Sequence, residues 1–425
     1  MEKIKYPHAI DMKQFAKDHS NPNALYGLPT TVAYCRKCVI SNQRPNSTVE
    51  FKSLKSEKKA TIGFGEDMVC DACRYQEVKA KKINWEKREQ SLIEMLDRFR
   101  RSDGGYDIIV PGSGGKDSAY AAHVLKYKYG MNPLTVTWAP HKYTEIGWQN
   151  FQNWMHIGGL DNILFTPNGR LHRYLTQQAF LNLLHPFQPF IVGQRIVGPL
   201  MAAKFGVKLV MYGENQAEYG NNPDDNYKPT MDHKFFSVGN PDEMIFGGKL
   251  VKDIIAEKKF LLNDFAPYIP PSADYLESKG VEVHYLGYYL KWDPQECYYY
   301  AVENTGFQAN SERTEGSYSK YSSIDDKIDM FHYYTTLIKF GIGRATYDAA
   351  QEIRNNKITR EEGVRLVQKY DQEFPLKYFK DFLEYIDINE DLFRKTVDNF
   401  RSPHLWFKEN GEWNLRQTVW HDINE

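Results

Sequence analysis

The chain has 425 residues, 41% hydrophobic and 26% charged, ordinary proportions for a globular protein of two or three domains. Its 54 Lys and Arg against 55 Asp and Glu leave a formal net charge of −1, which excludes a bulk polycation. No run approaches the ~18 uninterrupted apolar residues of a membrane span. The opening "MEKIKYPHAIDMKQF" lacks the apolar core of a secretory signal, so we expect a cytoplasmic protein with reduced thiols and no membrane contact.

The first 102 residues carry 20 Lys and Arg against 13 Asp and Glu, a local +7 that leaves −8 for the remainder. Such a segment is either a solvated lysine-rich face or a nucleic-acid footprint. Within it, "YCRKCVI" and "VCDACRY" place Cys35, Cys38, Cys70 and Cys73 in a C-x2-C-x31-C-x2-C pattern. Two-residue spacing lets both thiolates of a pair face one point, and two such knuckles supply four sulfurs for a tetrahedral Zn²⁺. The loop between them is too polar to fold around its own core, and a metal would supply that stability. With every ligand a protein atom, the zinc is expected to be structural. A reducing compartment argues against disulfides, and neither pair follows a strand of a βαβ unit, as a thioredoxin-like motif would. The fifth cysteine, Cys297 in "QECYYY", reads as a packed thiol.

Residues 84–101, "NWEKREQSLIEMLDRFRR", show apolar residues at helical spacing with Asn84 as cap, and close a module over 1–102. From residue 103 the text alternates. "YDIIVPG", "NPLTVTWAP", "NILFTP", "VKLVMYG" and "VEVHYLGYY" read as strands, and "KDSAYAAHVLKYKYG", residues 145–156, residues 169–183 and "RIVGPLMAAKFG" as helices. Short buried strands alternating with helices predict an α/β fold, a five-stranded parallel doubly wound sheet over residues 103–310. An interruption at 214–271, rich in Asn, Asp, Gly, Pro and Tyr, has the length of a functional or lid-like loop. Beyond residue 310 strand signals disappear, and a helical C-terminal domain is expected over 311–425.

Between the first strand and its helix stands "VPGSGGKDSAY". It is not a Walker loop, because Val110 stands where that motif needs glycine and Asp117 where it needs a hydroxyl. The physics of phosphate binding is retained. Gly114 and Gly115 let backbone N–H groups approach phosphate oxygens, Ser113 and Ser118 add hydroxyls, and Lys116 adds a positive charge. Asp117 would repel phosphate directly, so a phosphate-bridging Mg²⁺ is its expected partner.

Two further stretches point at the same place. "YGENQAEYGNN" follows the fourth strand at its carboxyl end, where open α/β sheets bind ligands, and offers Glu214, Asn215 and Glu218. "FIVGQRIVGP" is read as setting Gly193, Gln194 and Arg195 at a helix start near the nucleotide. Farther on, Asp325, Asp326 and Lys327 are read as opening a helix, where acidic residues are also ordinary helix-dipole partners.

Ser-Gly-Gly-Lys-Asp-Ser at 113–118 resembles the fingerprint of the PP-loop ATP pyrophosphatases. That resemblance implies ATP and Mg²⁺ as cofactors, a grip on the β,γ-pyrophosphate and transfer of AMP to a substrate oxygen. Taken with the CxxC pairs, "YGEN" and "SSIDDKIDMFHYYTTLIKFGIGRATYDAAQEIR", the chain resembles the N-acetyl sugar amidotransferase family of bacterial surface-polysaccharide and flagellin-glycan biosynthesis. The family implies that ATP adenylates the acetamide oxygen of an N-acetylated sugar and that ammonia displaces AMP to leave an acetamidino group. Lys116, Asp117 and Glu214 would serve the adenylation, and Lys327 or a neighbouring carboxylate would take a proton from ammonium. The chain shows no glutaminase motif. The resemblance implies a separate glutaminase partner, related to the amidotransferase and cyclase subunits of histidine biosynthesis. Two other readings stay open: a PP-loop tRNA-modifying enzyme, for which the basic first segment would be the footprint, and a nucleotide-binding scaffold without turnover.

Overall fold

The structure is a computed structural model that describes residues 11–53, 58–221, 227–257 and 260–421. The first ten residues and Asn222, both part of stretches read above, lie outside the described residues.

The second cysteine pair opens helix α1 (Asp71–Lys81), with Cys70 as its N-cap and Cys73 in its first turn; α2 (Trp85–Asp97) follows, capped by the Asn84 side chain, which accepts from Lys87 N at 2.9 Å. The alternation predicted next is present as β1 (Ile108–Pro111), α3 (Lys116–Tyr127), β2 (Pro133–Trp138), α4 (Glu145–His156), β3 (Asp161–Phe165), α5 (Gly169–Leu183), α6 (Gln188–Phe205) and β4 (Leu209–Tyr212). The residues after β4 contribute a small hairpin, β5 (Ile245–Phe246) with β6 (Lys249–Leu250), and the short helices α7 (Val251–Ala256) and α8 (Ala273–Ser278). The sheet then takes its fifth strand, β7 (Glu282–Tyr285), which leads into α9 (Leu286–Tyr289) and α10 (Pro294–Thr305).

The five strands are parallel in the order β3-β2-β1-β4-β7. Side-chain alternation shows why both faces are covered. Ile108, Val110, Leu209 and Met211 face a core shared with α2, α3 and α10, whereas Ile109 and Val210 face one built on α5 and α6. The order of strands reverses between β1 and β4, so the turns leaving these two strands diverge and open a crevice at their carboxyl ends.

The C-terminal part holds α11 (Asp329–Phe340), α12 (Arg344–Arg354), α13 (Arg360–Tyr370), α14 (Phe379–Ile386) and α15 (Glu390–Asn399). Phe331, Phe382 and Phe393 form an aromatic core that also takes in Phe180 of α5 and, from the start of the chain, Phe15 and Tyr26. The cysteine knuckles pack their apolar residues against Ala349, Val364 and Val367 of α12 and α13. The first segment is thus buried against the last one rather than standing apart.

Several local expectations are corrected. The C-terminal part is not wholly helical: β8 (Trp406–Glu409) and β9 (Glu412–Leu415) form a hairpin whose turn holds Asn410 at φ 51° and Gly411 at φ 84°. An Asn-Gly pair supplies both positive φ angles of a tight hairpin turn at low cost. The fifth strand stops at Tyr285, four residues short of the predicted run. The described part of the 214–271 interruption packs on the sheet, with Phe246, Phe265 and Tyr268 buried in the sheet's own core. Helix α6 begins at Gln188 with Pro189 in its first turn, so Gly193, Gln194 and Arg195 sit inside it. Proline at that position lacks only an N–H that would have no partner anyway. Finally, α11 starts at Asp329. Asp325, Asp326 and Lys327 form a preceding loop pinned to residues 141–144, where Lys327 N donates to Lys142 O at 2.9 Å and Thr144 N to Asp325 O at 3.1 Å.

Candidate active site

Gly112 ends β1 by donating to Val136 O, and the chain turns through Ser113 and Gly114 into α3. Gly114 has φ +82°, and a Cβ there would come within 2.9 Å of the Phe151 backbone, so only glycine fits. Gly115 is the N-cap and brings no side-chain cap, which leaves the first N–H groups of α3 free to face an anion. Ser113, Gly114 and Gly115, with Lys116 and Asp117, line a cavity of about 600 Å³, a size suited to a small-molecule ligand.

Lys116 is paired with Asp117, and the Asp117 carboxylate holds it above the usual lysine range although burial pulls the other way. The second Asp117 oxygen, Oδ1, is buried without a partner. Glu214, from the turn after β4, lines the same cavity and accepts from the Tyr219 hydroxyl at 2.7 Å. Burial pushes its carboxyl up, and the charge of Asp117 adds to that. Two neighbouring carboxylates lining one cavity, Asp117 with an orphaned oxygen and Glu214 pushed up by burial, fit a divalent cation. Mg²⁺ bound there would neutralise phosphate charge.

The other predicted residues are placed less uniformly. Ser113 lines the cavity beside Asp325, whose carboxyl it pulls down against the effect of burial. Ser118 donates to Gly115 O at 3.1 Å and so stabilises the helix start. Gln194 lines the cavity. Gly193 is a packing residue, because a Cβ there would lie 2.1 Å from the Trp138 ring. Asn215 is buried and caps its own turn, accepting from Ala217 N at 2.9 Å. Glu218 is paired with buried Lys79 of α1 at 2.7 Å, which fastens the knuckle module to the end of β4. Lys327 points elsewhere. Its Nζ lies 3.3 Å from Asp381 of α14 and over the Tyr378 ring.

The far wall of the cavity was foreseen only through Asp325. It holds Asp325, Asp329, His332 and Arg344. Burial pushes Asp329 up to about 7 against the pull of Arg344. His332 is held down at about 3 by burial and the nearby His185, which keeps it neutral, and its Nδ1 has no partner. Arg344 is anchored by Asp348 at 3.1 Å. A helical phase count from Asp329 puts Asp329, His332 and Thr336 on one stripe, a signal available in the sequence once the true helix start is known.

The four paired cysteines meet at one point. Their sulfurs all lie within 4.8 Å of one another, with Cys35 to Cys73 at 3.9 Å and Cys38 to Cys70 at 3.7 Å. A tetrahedral Zn²⁺ with Zn–S bonds of about 2.3 Å sets its sulfurs roughly 3.8 Å apart, so the residues fit the metal. Lys37 N and Cys70 N each approach Cys35 Sγ at 3.4 Å, and Arg360 donates to the carbonyls of Cys35 and Cys38. Such contacts orient the sulfurs and offset their charge. Cys297 is buried on α10, and burial pushes its thiol up, so it is no ready nucleophile.

Among the described residues no helix is long and apolar enough to cross a membrane. A curated relative from Methanocaldococcus jannaschii, an uncharacterized protein, is 42% identical over 53 residues, which is 12% of this chain and 19% of that protein. Two solved structures align distantly. One is an NH3-dependent NAD synthetase from Campylobacter jejuni, with TM-score 0.26 and 15% identity over 32% of this chain and 59% of that one. The other is an NMN synthetase from Francisella tularensis, with TM-score 0.29 and 14% identity over 70% and 99%. Residues 315–419 match the family model described as LPS biosynthesis protein WbpG-like, C-terminal domain. This match covers the end of the chain that supplies Asp325, Asp329, His332 and Arg344 to the cavity, and it supports the resemblance to the N-acetyl sugar amidotransferases read from the sequence.

Proposed function

We propose that this chain is an ATP-dependent, AMP-forming amidotransferase of bacterial surface-glycan synthesis, acting on the acetamide of an N-acetylated sugar. One observation carries the reading. A single cavity joins the uncapped start of α3 to the acidic wall supplied by the WbpG-like segment, so a nucleotide's phosphates and an acceptor group share one space.

An amide carbonyl is a poor electrophile, and its oxygen does not leave without activation. Attack of the acetamide oxygen on the α-phosphorus would form an O-adenylated imidate and break the α–β bond. The N–H groups of α3 and Lys116 are placed to take up charge on the departing pyrophosphate. Asp117 and Glu214 would hold Mg²⁺, which supplies further neutralisation of that charge. Ammonia then adds to the imidate carbon and AMP departs, leaving an amidine. Ammonia arrives largely as ammonium, so a proton must be removed. Asp329, held near neutrality inside the cavity, suits that task better than Lys327, which is committed to Asp381. A separate glutaminase subunit would supply the ammonia.

The test is pyrophosphate release from ATP and Mg²⁺ with ammonium and a panel of N-acetylated nucleotide sugars, with mass spectrometry of the product. A product in which NH has replaced O supports the proposal. Pyrophosphate release that needs tRNA instead of a sugar refutes it.

A further inference from the structure

Two of the four arginines that line the cavity are held by short contacts. Arg344 is paired with Asp348, and Arg195 donates to Thr48 O at 2.9 Å. Arg44 and Arg354 differ. Both line the cavity and both are buried deeply enough for burial to act against their charge. Arg44, from the loop between the cysteine pairs, makes one long hydrogen bond, Nη1 to Asn221 Oδ1 at 3.5 Å. Arg354, at the end of α12, donates Nη2 to Glu218 O at 3.3 Å. The carboxylate of Glu218 is itself engaged by Lys79. Among the described residues neither guanidinium forms an ion pair with a carboxylate, and Arg354 lies near enough to weaken the charge of Arg44.

A buried guanidinium with donors left over, set within reach of a second one, is costly unless an anion joins them. The planar donor array of arginine matches phosphate oxygens. We propose that Arg44 and Arg354 form a diphosphate-binding subsite, separate from the loop at 113–117 and continuous with it through the cavity. Tyr219 links the two. It lies within electrostatic range of Arg44 and donates to Glu214, which feels the charges of Asp117 and Lys116. Lys116 is already paired with Asp117, so a pyrophosphate in the loop would retain charge for further cations to meet. Two sources offer this chemistry: the β,γ-phosphates of ATP, and the diphosphate of a nucleotide-activated sugar. Arg354 also adjoins the cysteine sulfurs, whose negative charge raises it, so Arg44 is the sharper probe of the two.

The inference rests on the proposed function only for its choice of probes. The full-length chain is titrated with inorganic pyrophosphate and, separately, with UDP-N-acetylglucosamine, by calorimetry and by ligand-induced change in Tm. Wild type is compared with Arg44→Gln, Arg44→Lys and Arg354→Gln. We expect Arg44→Gln to weaken one probe at least tenfold and Arg44→Lys to restore part of the loss. The apo Tm should stay level or rise, because an uncompensated buried charge has been removed. A loss confined to pyrophosphate assigns the subsite to the ATP-derived diphosphate, and a loss confined to the nucleotide sugar assigns it to the acceptor. Unchanged affinity for both probes overturns the inference. So does a fall in apo Tm together with loss of bound zinc, which would make Arg44 a structural residue. If affinity falls as expected while no amidine forms, the subsite stands and only the proposed reaction fails.

Discussion

The cysteine cluster and the glycine-rich loop both gather charge-seeking atoms at one point, yet they leave those atoms in opposite conditions. At the cluster every sulfur is buried, each faces three others, and backbone N–H groups with Arg360 close the surroundings. At the loop the N–H groups of α3 have no cap, Asp117 Oδ1 has no partner, and the charges face a cavity. The cluster's ligand set is complete in itself, so it serves the fold. The loop's set is left open toward the cavity, as the proposed reaction requires. Glu218 and Lys79 bind the two together, because the helix that follows Cys70 is clamped to the turn that carries Glu214.

The largest expected effect breaks the closed site. Cys35→Ser should abolish tight zinc binding, measured by elemental analysis, and lower stability by several kcal/mol, since metal binding at such a site is folding free energy. The loss should spread to α12 and α13, whose apolar faces pack on the knuckles. Hydrogen exchange over residues 344–370 would show it. Full stability without metal would remove the distinction between the two sites.

The open site responds differently to substitution. Asp329 titrates near 7 in the folded chain and near its ordinary value when unfolded, so between about pH 4 and 7 the folded state binds the extra proton. Stability contributed by this group is therefore present at low pH and is lost as pH rises through 7, on the order of 4 kcal/mol across the interval. Asp329→Asn should flatten that part of the profile and leave the protein more stable than wild type at pH 8, while slowing amidine formation. Denaturant midpoints at pH 5 and 8 decide it, and a variant less stable at pH 8 would contradict the assignment. Lys116→Ala should cost about 10²–10³-fold in pyrophosphate release, as loss of a charge-stabilising group does. Its Tm should change little, and a rate equal to wild type would take the loop out of the mechanism.

Legibility in the sequence followed locality. The cysteine pairs and the loop are contiguous motifs, and both appear where their spacing predicts. The parallel sheet was readable from its apolar runs. What escaped were facts set by long-range packing or by helix phase. Asp329, His332 and Arg44 reach the cavity only because elements far apart in the chain converge, and no neighbouring residue announces that. Two misses had local signals. Pro189 marks the start of α6 ahead of Gln194, and Asn410–Gly411 marks the β8–β9 turn between two aromatic, β-prone runs.

Lys327 gives the smallest expected effect and the finest division of the cavity wall. In sequence it sits two residues from both Asp325 and Asp329, and the sequence reading cast it or a neighbouring carboxylate as the proton acceptor. In the structure Asp325 and Asp329 turn to the cavity, while Lys327 turns to Asp381 and the Tyr378 ring. Asp381 already has a second cation in Lys142, so removing one lysine leaves the carboxylate paired. A partly exposed pair of this kind is worth about 0–1 kcal/mol. Lys327→Ala should therefore shift Tm only slightly and change kcat by less than about threefold, against a much larger fall for Asp329→Asn. A large kcat loss in Lys327→Ala with an unshifted pH profile in Asp329→Asn would return the proton to the lysine.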